Sequence, residues 1–70
     1  MSRASQYFVI HNLKYSSVIR VYGKNTVAKY LRDNGCRFND KQLAVIKGEN
    51  ALVVNNRHGD TFIVEECADG

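Results

Sequence analysis

One stretch, Ala51–Cys67, constrains this chain more than any other. Two apolar, β-branched runs flank a polar segment that ends in Gly59. Such runs around a glycine-bearing turn specify a β-hairpin. A three-residue loop, Arg57-His58-Gly59, closes it if Gly59 takes the left-handed conformation that a side chain disfavours. That loop sets Asn56 against Asp60, Val54 against Phe62, Val53 against Ile63 and Leu52 against Val64. Leu52, Val54, Phe62 and Val64 then share one face as two cross-strand pairs, a core-forming set. A two-residue His58-Gly59 loop would instead put Asn55 opposite Phe62 and Leu52 opposite Glu65. The apolar pattern therefore selects the longer loop.

Two further strands are expected near the N-terminus. Gln6–Ile10 places Tyr7 and Val9 on one face and Phe8 and Ile10 on the other. Apolar residues on both faces predict a central or doubly covered strand. His11-Asn12-Leu13-Lys14 reads as the connection, with Asn12 as its turn residue. Ser16–Tyr22 is the second strand, with Ile19 and Val21 on one face and Val18, Arg20 and Tyr22 on the other. The two strands can form a hairpin of their own.

The middle of the chain reads as helical. Asn25 is placed to cap a helix over Thr26–Asn34, whose buried stripe is Val27, Tyr30 and Leu31 with Ala28 beside it. Lys29 and Asp33 lie four apart and can pair. Gly35 sits where a left-handed C-cap belongs, followed by the apolar Cys36. Arg37–Gly48 admits two readings. As a helix, Asn39 is the N-cap, Gln42 completes a capping box, Phe38 and Leu43 form a hydrophobic staple, and Gly48 ends it. As a strand, Leu43–Lys47 turns through Gly48-Glu49-Asn50 into the final hairpin, which Val45 and Ile46 favour. The four agreeing end signals favour the helix.

The 70 residues bound one domain, residues 1–70, with 1–5 and 68–70 expected to fray. A core this small gains only about 3–5 kcal/mol, which leaves room for support from a partner or a dimer. No run approaches the ~20 apolar residues of a membrane helix, and the first residues lack the apolar core of a secretory signal. A cytoplasmic location follows, with Cys36 and Cys67 as reduced thiols. The fold class expected is α+β: an antiparallel or mixed sheet of about four strands, with one or two short helices on one face, in the order ββα(α)ββ.

Catalysis finds little support. Gly23-Lys24-Asn25-Thr26 lacks the spacing of a phosphate-cradling loop. Seventy residues leave scant room for a dry pocket, an orienting group and an oxyanion site around Cys36, Cys67, His11 or His58. These four also lack the close pairing that seeds a zinc site. No enzyme activity, metal, cofactor or small-molecule substrate is expected.

Charge points elsewhere. Residues 1–47 hold nine of the ten Lys and Arg against Asp33 and Asp40, which is +7; residues 48–70 hold Arg57 against five carboxylates, which is −4; together they give the net +3. A basic first two-thirds predicts a polyanion partner. In a helix–turn–helix order with a hairpin wing, Asn39, Lys41 and Gln42 would face bases. Lys24, Lys29, Arg32 and Arg37 would hold phosphates, and Arg57 and His58 would reach a groove or backbone. The function expected is thus a small non-enzymatic regulatory module contacting nucleic acid. The alternative is a module or inhibitor that docks on a larger protein, with a homodimer through a sheet edge as a further option.

Overall fold

The structure, a computed structural model, describes residues 5–69. Ser5–Asn12 (β1), Ser17–Val21 (β2), Leu52–Asn55 (β3) and Thr61–Asp69 (β4) form one antiparallel sheet in the order β2-β1-β4-β3. Lys24–Asp33 (α1) and Asp40–Ala44 (α2) come between β2 and β3. This is the α+β order expected from the sequence. β1 and β4 are the central strands, and β2 and β3 are the edges.

The final hairpin has the register that the apolar pattern selects. Leu52 pairs with Val64, Val53 with Ile63 and Val54 with Phe62. Gly59 takes φ +85°, and its amide donates to the Asn56 carbonyl at 3.2 Å. Leu52, Val54, Phe62 and Val64 are all buried. They join Phe8 and Ile10 of β1 and Val27 and Leu31 of α1 in a single core. Burial of such side chains, about 1.5–3 kcal/mol each, is what holds the helix layer to the sheet.

The first hairpin is longer than its apolar run suggests. β1 continues through His11 and Asn12, so the turn is Leu13–Ser16 rather than His11–Lys14. Asn12 still directs it: its Oδ1 accepts the Lys14 amide at 3.0 Å. At the other ends, Ser5, Ala68 and Asp69 belong to paired strands instead of frayed tails. The rest of the expected fraying, residues 1–4 and 70, lies outside the described residues.

α1 starts earlier than Asn25 predicts. Gly23 is the N-cap, with φ +84° and no side-chain cap, and its carbonyl accepts the Val27 amide at 3.3 Å. The glycine's backbone, not a capping side chain, turns the chain from β2 into the helix. The buried stripe of Val27, Ala28 and Leu31 is as expected. Tyr30 is half-buried, with its ring edge-on to Phe62 at 6.2 Å. At the C-terminus Gly35 has φ +81°. Its amide donates to the Arg32 carbonyl at 3.0 Å and the Cys36 amide to the Leu31 carbonyl at 2.9 Å. That double closure is a Schellman motif, and buried Cys36 supplies its apolar contact.

The helical reading of Arg37–Gly48 holds at its start and not at its end. Asn39 caps α2: its Oδ1 accepts the Gln42 amide at 2.8 Å, and Gln42 Oε1 accepts the Asn39 amide at 2.9 Å. Phe38 and Leu43, the staple pair, pack against the core. The helix stops at Ala44 with Val45 as C-cap, well before Gly48. The reason is Ile46, which is fully buried and leaves the helical path to fill the core. Lys47-Gly48-Glu49-Asn50 then forms the tight turn that the strand reading required. Lys47 and Asn50 exchange backbone bonds of 3.2 and 3.0 Å, and the Gly48 amide donates to Glu66 Oε1 at 3.0 Å. No helix among the described residues is long and apolar enough to cross a membrane.

Candidate functional site

The end of α1 and the turn of the last hairpin are brought together by one side chain, Asn56. Its Nδ2 donates to the carbonyl of Asn34, the C-cap of α1, at 2.9 Å and to Asp60 Oδ2 at 3.1 Å. Its Oδ1 accepts the amides of His58 and Asp60, both at 2.9 Å. A short antiparallel bridge between Cys36 and Asn56 reinforces the junction. Asn56 therefore organises its own turn and also satisfies a carbonyl that the helix leaves open.

Two shallow clefts, about 300 and 390 Å³, meet at this junction and share Gly35, Asn56 and Arg57. Arg37 and Asn55 line the first; Arg32, Asp33, Asn34, His58 and Asp60 line the second. Four of the residues expected to touch nucleic acid, Arg32, Arg37, Arg57 and His58, thus converge from three segments. The Arg32 guanidinium is stacked 5.2 Å over the Phe38 ring, which orients it. Ion pairs include Lys14–Asp60 at 3.4 Å and His11–Glu65 at 3.7 Å. Neither uses an arginine of the cleft. The expected Lys29–Asp33 pair is not formed.

The two acidic residues of the cleft differ in their ties. Asp60 is buried, bonded to Asn56 and faced by the Lys14 ammonium, so its charge is compensated within the fold. The Asp60 carboxylate, as an acceptor 3.4 Å away and as a negative charge, raises the Lys14 pKa above the ordinary lysine range. Asp33 is exposed at the last position of α1. Burial, aided by the nearby Asp60 charge, pushes the Cys36 thiol pKa up and keeps it protonated.

The remaining expected contacts lie outside the clefts. Lys24 opens α1 at its far end, and Lys29 is exposed one turn before Arg32. Lys41 is exposed on α2. Asn39 and Gln42 have their side-chain oxygens engaged in the capping box. α2, at five residues, is too short to act as the second helix of a helix–turn–helix. Sequence reading did not single out Asn34, Gly35, Asn55 and Asn56 as cleft residues. The Asn55-Asn56 pair ahead of Arg57 was the available signal, since asparagines bond their own turns. Among the described residues, no three His, Cys, Asp or Glu side chains gather where a metal could be held.

Comparison with models of protein families, with curated proteins and with solved structures yields no match for this chain.

Proposed function

We propose that this chain is a non-enzymatic regulatory binding module that holds the phosphate backbone of a nucleic acid in the cleft between α1 and the β3–β4 turn. The observation that carries this reading is the convergence of Arg32, Arg37 and Arg57, none of them in an ion pair among the described residues, around two open clefts that meet at Asn56. Guanidinium groups present forked donors that match phosphate oxygens, and an open cleft admits a chain of phosphates. His58 extends the donor set at the rim. Lys29, one turn from Arg32, and Lys24 and Lys41 farther out, add long-range attraction.

Base reading through Asn39 and Gln42 would disrupt the cap that holds α2, so the contact is with backbone rather than sequence. Three phosphates neutralised predict a salt slope of about −3, which is roughly 40-fold weaker binding between 50 and 200 mM salt. The test is a titration against duplex and single-stranded DNA and RNA at those two salt concentrations. Absence of binding at the lower salt, or binding indifferent to salt, would remove this reading. A module docking on a larger protein would then take its place.

A further inference from the structure

Both helices pack on one face of the sheet, and the opposite face carries an ordered pattern that the cleft does not use. Strand register places the outward positions in rows, three of which matter here. Arg20, Val9 and Glu65 form the middle row, on β2, β1 and β4 respectively. Val18, His11, Ile63 and Val53 form the row toward the turns. Tyr7 and Cys67 begin the third row, where Tyr22 contacts Tyr7 with ring centroids 6.2 Å apart. Val18, Tyr22 and Val53 are 60, 58 and 58 % exposed. Val18, Tyr22 and Val53 leave much of this face apolar, and Arg20 and Glu65 lie at matched positions on either side of Val9, with His11 beside Glu65 and Asp69 farther along β4.

We infer that this face binds a second copy of the chain, sheet against sheet, about a two-fold axis parallel to β1 that passes between the two copies at Val9. The charges choose the axis. Rotation about a line parallel to β1 lays β2 of one copy over β4 of the other, so each Arg20 faces the Glu65 of its partner copy and Val9 meets Val9. Rotation about a line across the strands would lay Arg20 on Arg20 and Glu65 on Glu65, a like-charge arrangement that costs free energy. The chosen axis also places Val18 over Ile63 and Tyr22 over Cys67. Stacked sheets cross at about 30°, which displaces a central row least, and the charged row is the central one. Arg20 is already stacked on the Tyr7 ring, 4.2 Å from its centroid, so its guanidinium is held above the sheet. Glu65 lies 3.7 Å from His11 Nε2 within its own chain, which holds the carboxylate on this face.

Four strands at about 4.8 Å spacing make this a small interface, and the pair is correspondingly weak. The inference stands apart from the nucleic-acid reading, because the cleft lies where the end of α1 meets the β3–β4 turn and includes none of Arg20, Val9 and Glu65. The experiment is sedimentation equilibrium from about 1 to 300 µM, a range that spans micromolar affinity. The chain alone should shift from monomer to dimer. Arg20→Glu and Glu65→Arg should each weaken self-association at least tenfold while circular dichroism is unchanged. An equimolar mixture of the two variants should form a heterodimer, because both contacts across the axis become complementary again. Val18→Lys, at an exposed position, should also weaken the dimer and serves if a charge reversal disturbs folding. A monomer throughout overturns the inference. So does a dimer indifferent to these variants, as edge-to-edge pairing or another surface would give, or a mixture that stays monomeric.

Discussion

Replacing Asn56 should separate the last hairpin from α1, and two variants distinguish how. Asn56→Ala removes four hydrogen bonds. The one from the His58 amide is exposed, and water replaces it at little cost. The other three are partly buried and contribute about 1 kcal/mol each, so the loss is about 3 kcal/mol. Against a total of roughly 4–10 kcal/mol for a chain of this length, that is a large share. In thermal melts followed by circular dichroism it corresponds to a fall of about 12–24 °C.

Asn56→Asp has almost the same shape and keeps the oxygen that accepts the His58 and Asp60 amides. It loses both donors and sets a second carboxylate where Asn56 Nδ2 lay 3.1 Å from Asp60 Oδ2. Repulsion at that distance is about 1 kcal/mol in water and about 5 kcal/mol at an effective dielectric of 20. At pH 7 this variant should be no more stable than the alanine one. The introduced carboxyl has its pKa raised in the folded state by Asp60. Its penalty is therefore absent below the unfolded value of about 3.9 and grows as pH rises toward the folded value. Relative to the parent at each pH, the aspartate variant should overtake the alanine variant on acidification. An alanine loss under about 1 kcal/mol, or an aspartate variant as stable as the parent at pH 7, would refute the role given to this side chain.

Further outcomes follow from the same geometry. Arg32→Ala, Arg37→Ala and Arg57→Ala should each reduce the salt slope of nucleic-acid binding by about 1, while Lys24→Ala, at the far end of α1, should leave it nearly unchanged; equal effects would place the contact outside the cleft. Gly35→Ala should cost about 1 kcal/mol in urea melts, because φ is +81° there and nothing else crowds an added methyl closer than 3.9 Å. With alkylating reagent at pH 8 and low protein concentration, half-buried Cys67 should react promptly and Cys36, buried with a raised pKa, only on unfolding; equal rates would contradict the core position of Cys36. Lys14→Met should destabilise the fold at pH 7. A lysine pKa raised by folding contributes stability that is complete below about 10.4 and lost as pH rises through the folded value, so the gap between the two proteins should close in strong alkali.

What the sequence made legible and what it hid divide along a physical line. The final hairpin was legible to the residue because strand periodicity and one left-handed glycine leave a single register that buries Leu52, Val54, Phe62 and Val64 together. The C-terminus of α1 was legible for a similar reason: Gly35 and Cys36 are local and sufficient. Its N-terminus was not, since Gly23 turns the chain through its backbone and offers no capping side chain to read. The length of α2 was hidden because Ile46 is drawn into a core whose shape depends on residues far along the chain. The two apolar faces of β1 were read as a strand central or covered on both sides; it is central, and only one side is covered within the chain.

The cleft shows the same division more sharply. Net charge placed the cations in the first two-thirds and treated the last third as acidic, yet the site needs Arg57, the one arginine of that acidic third. It reaches Arg32 and Arg37 because the open carbonyl of Asn34 is answered by Asn56, 22 residues later. The pairing of a helix end with a hairpin turn, rather than the distribution of charge along the chain, is therefore what assembles the basic surface. Two charges that could have cancelled it are handled differently: Asp60 is neutralised inward by Lys14 and Asn56, and Asp33 stays at the solvent edge, where salt screens it.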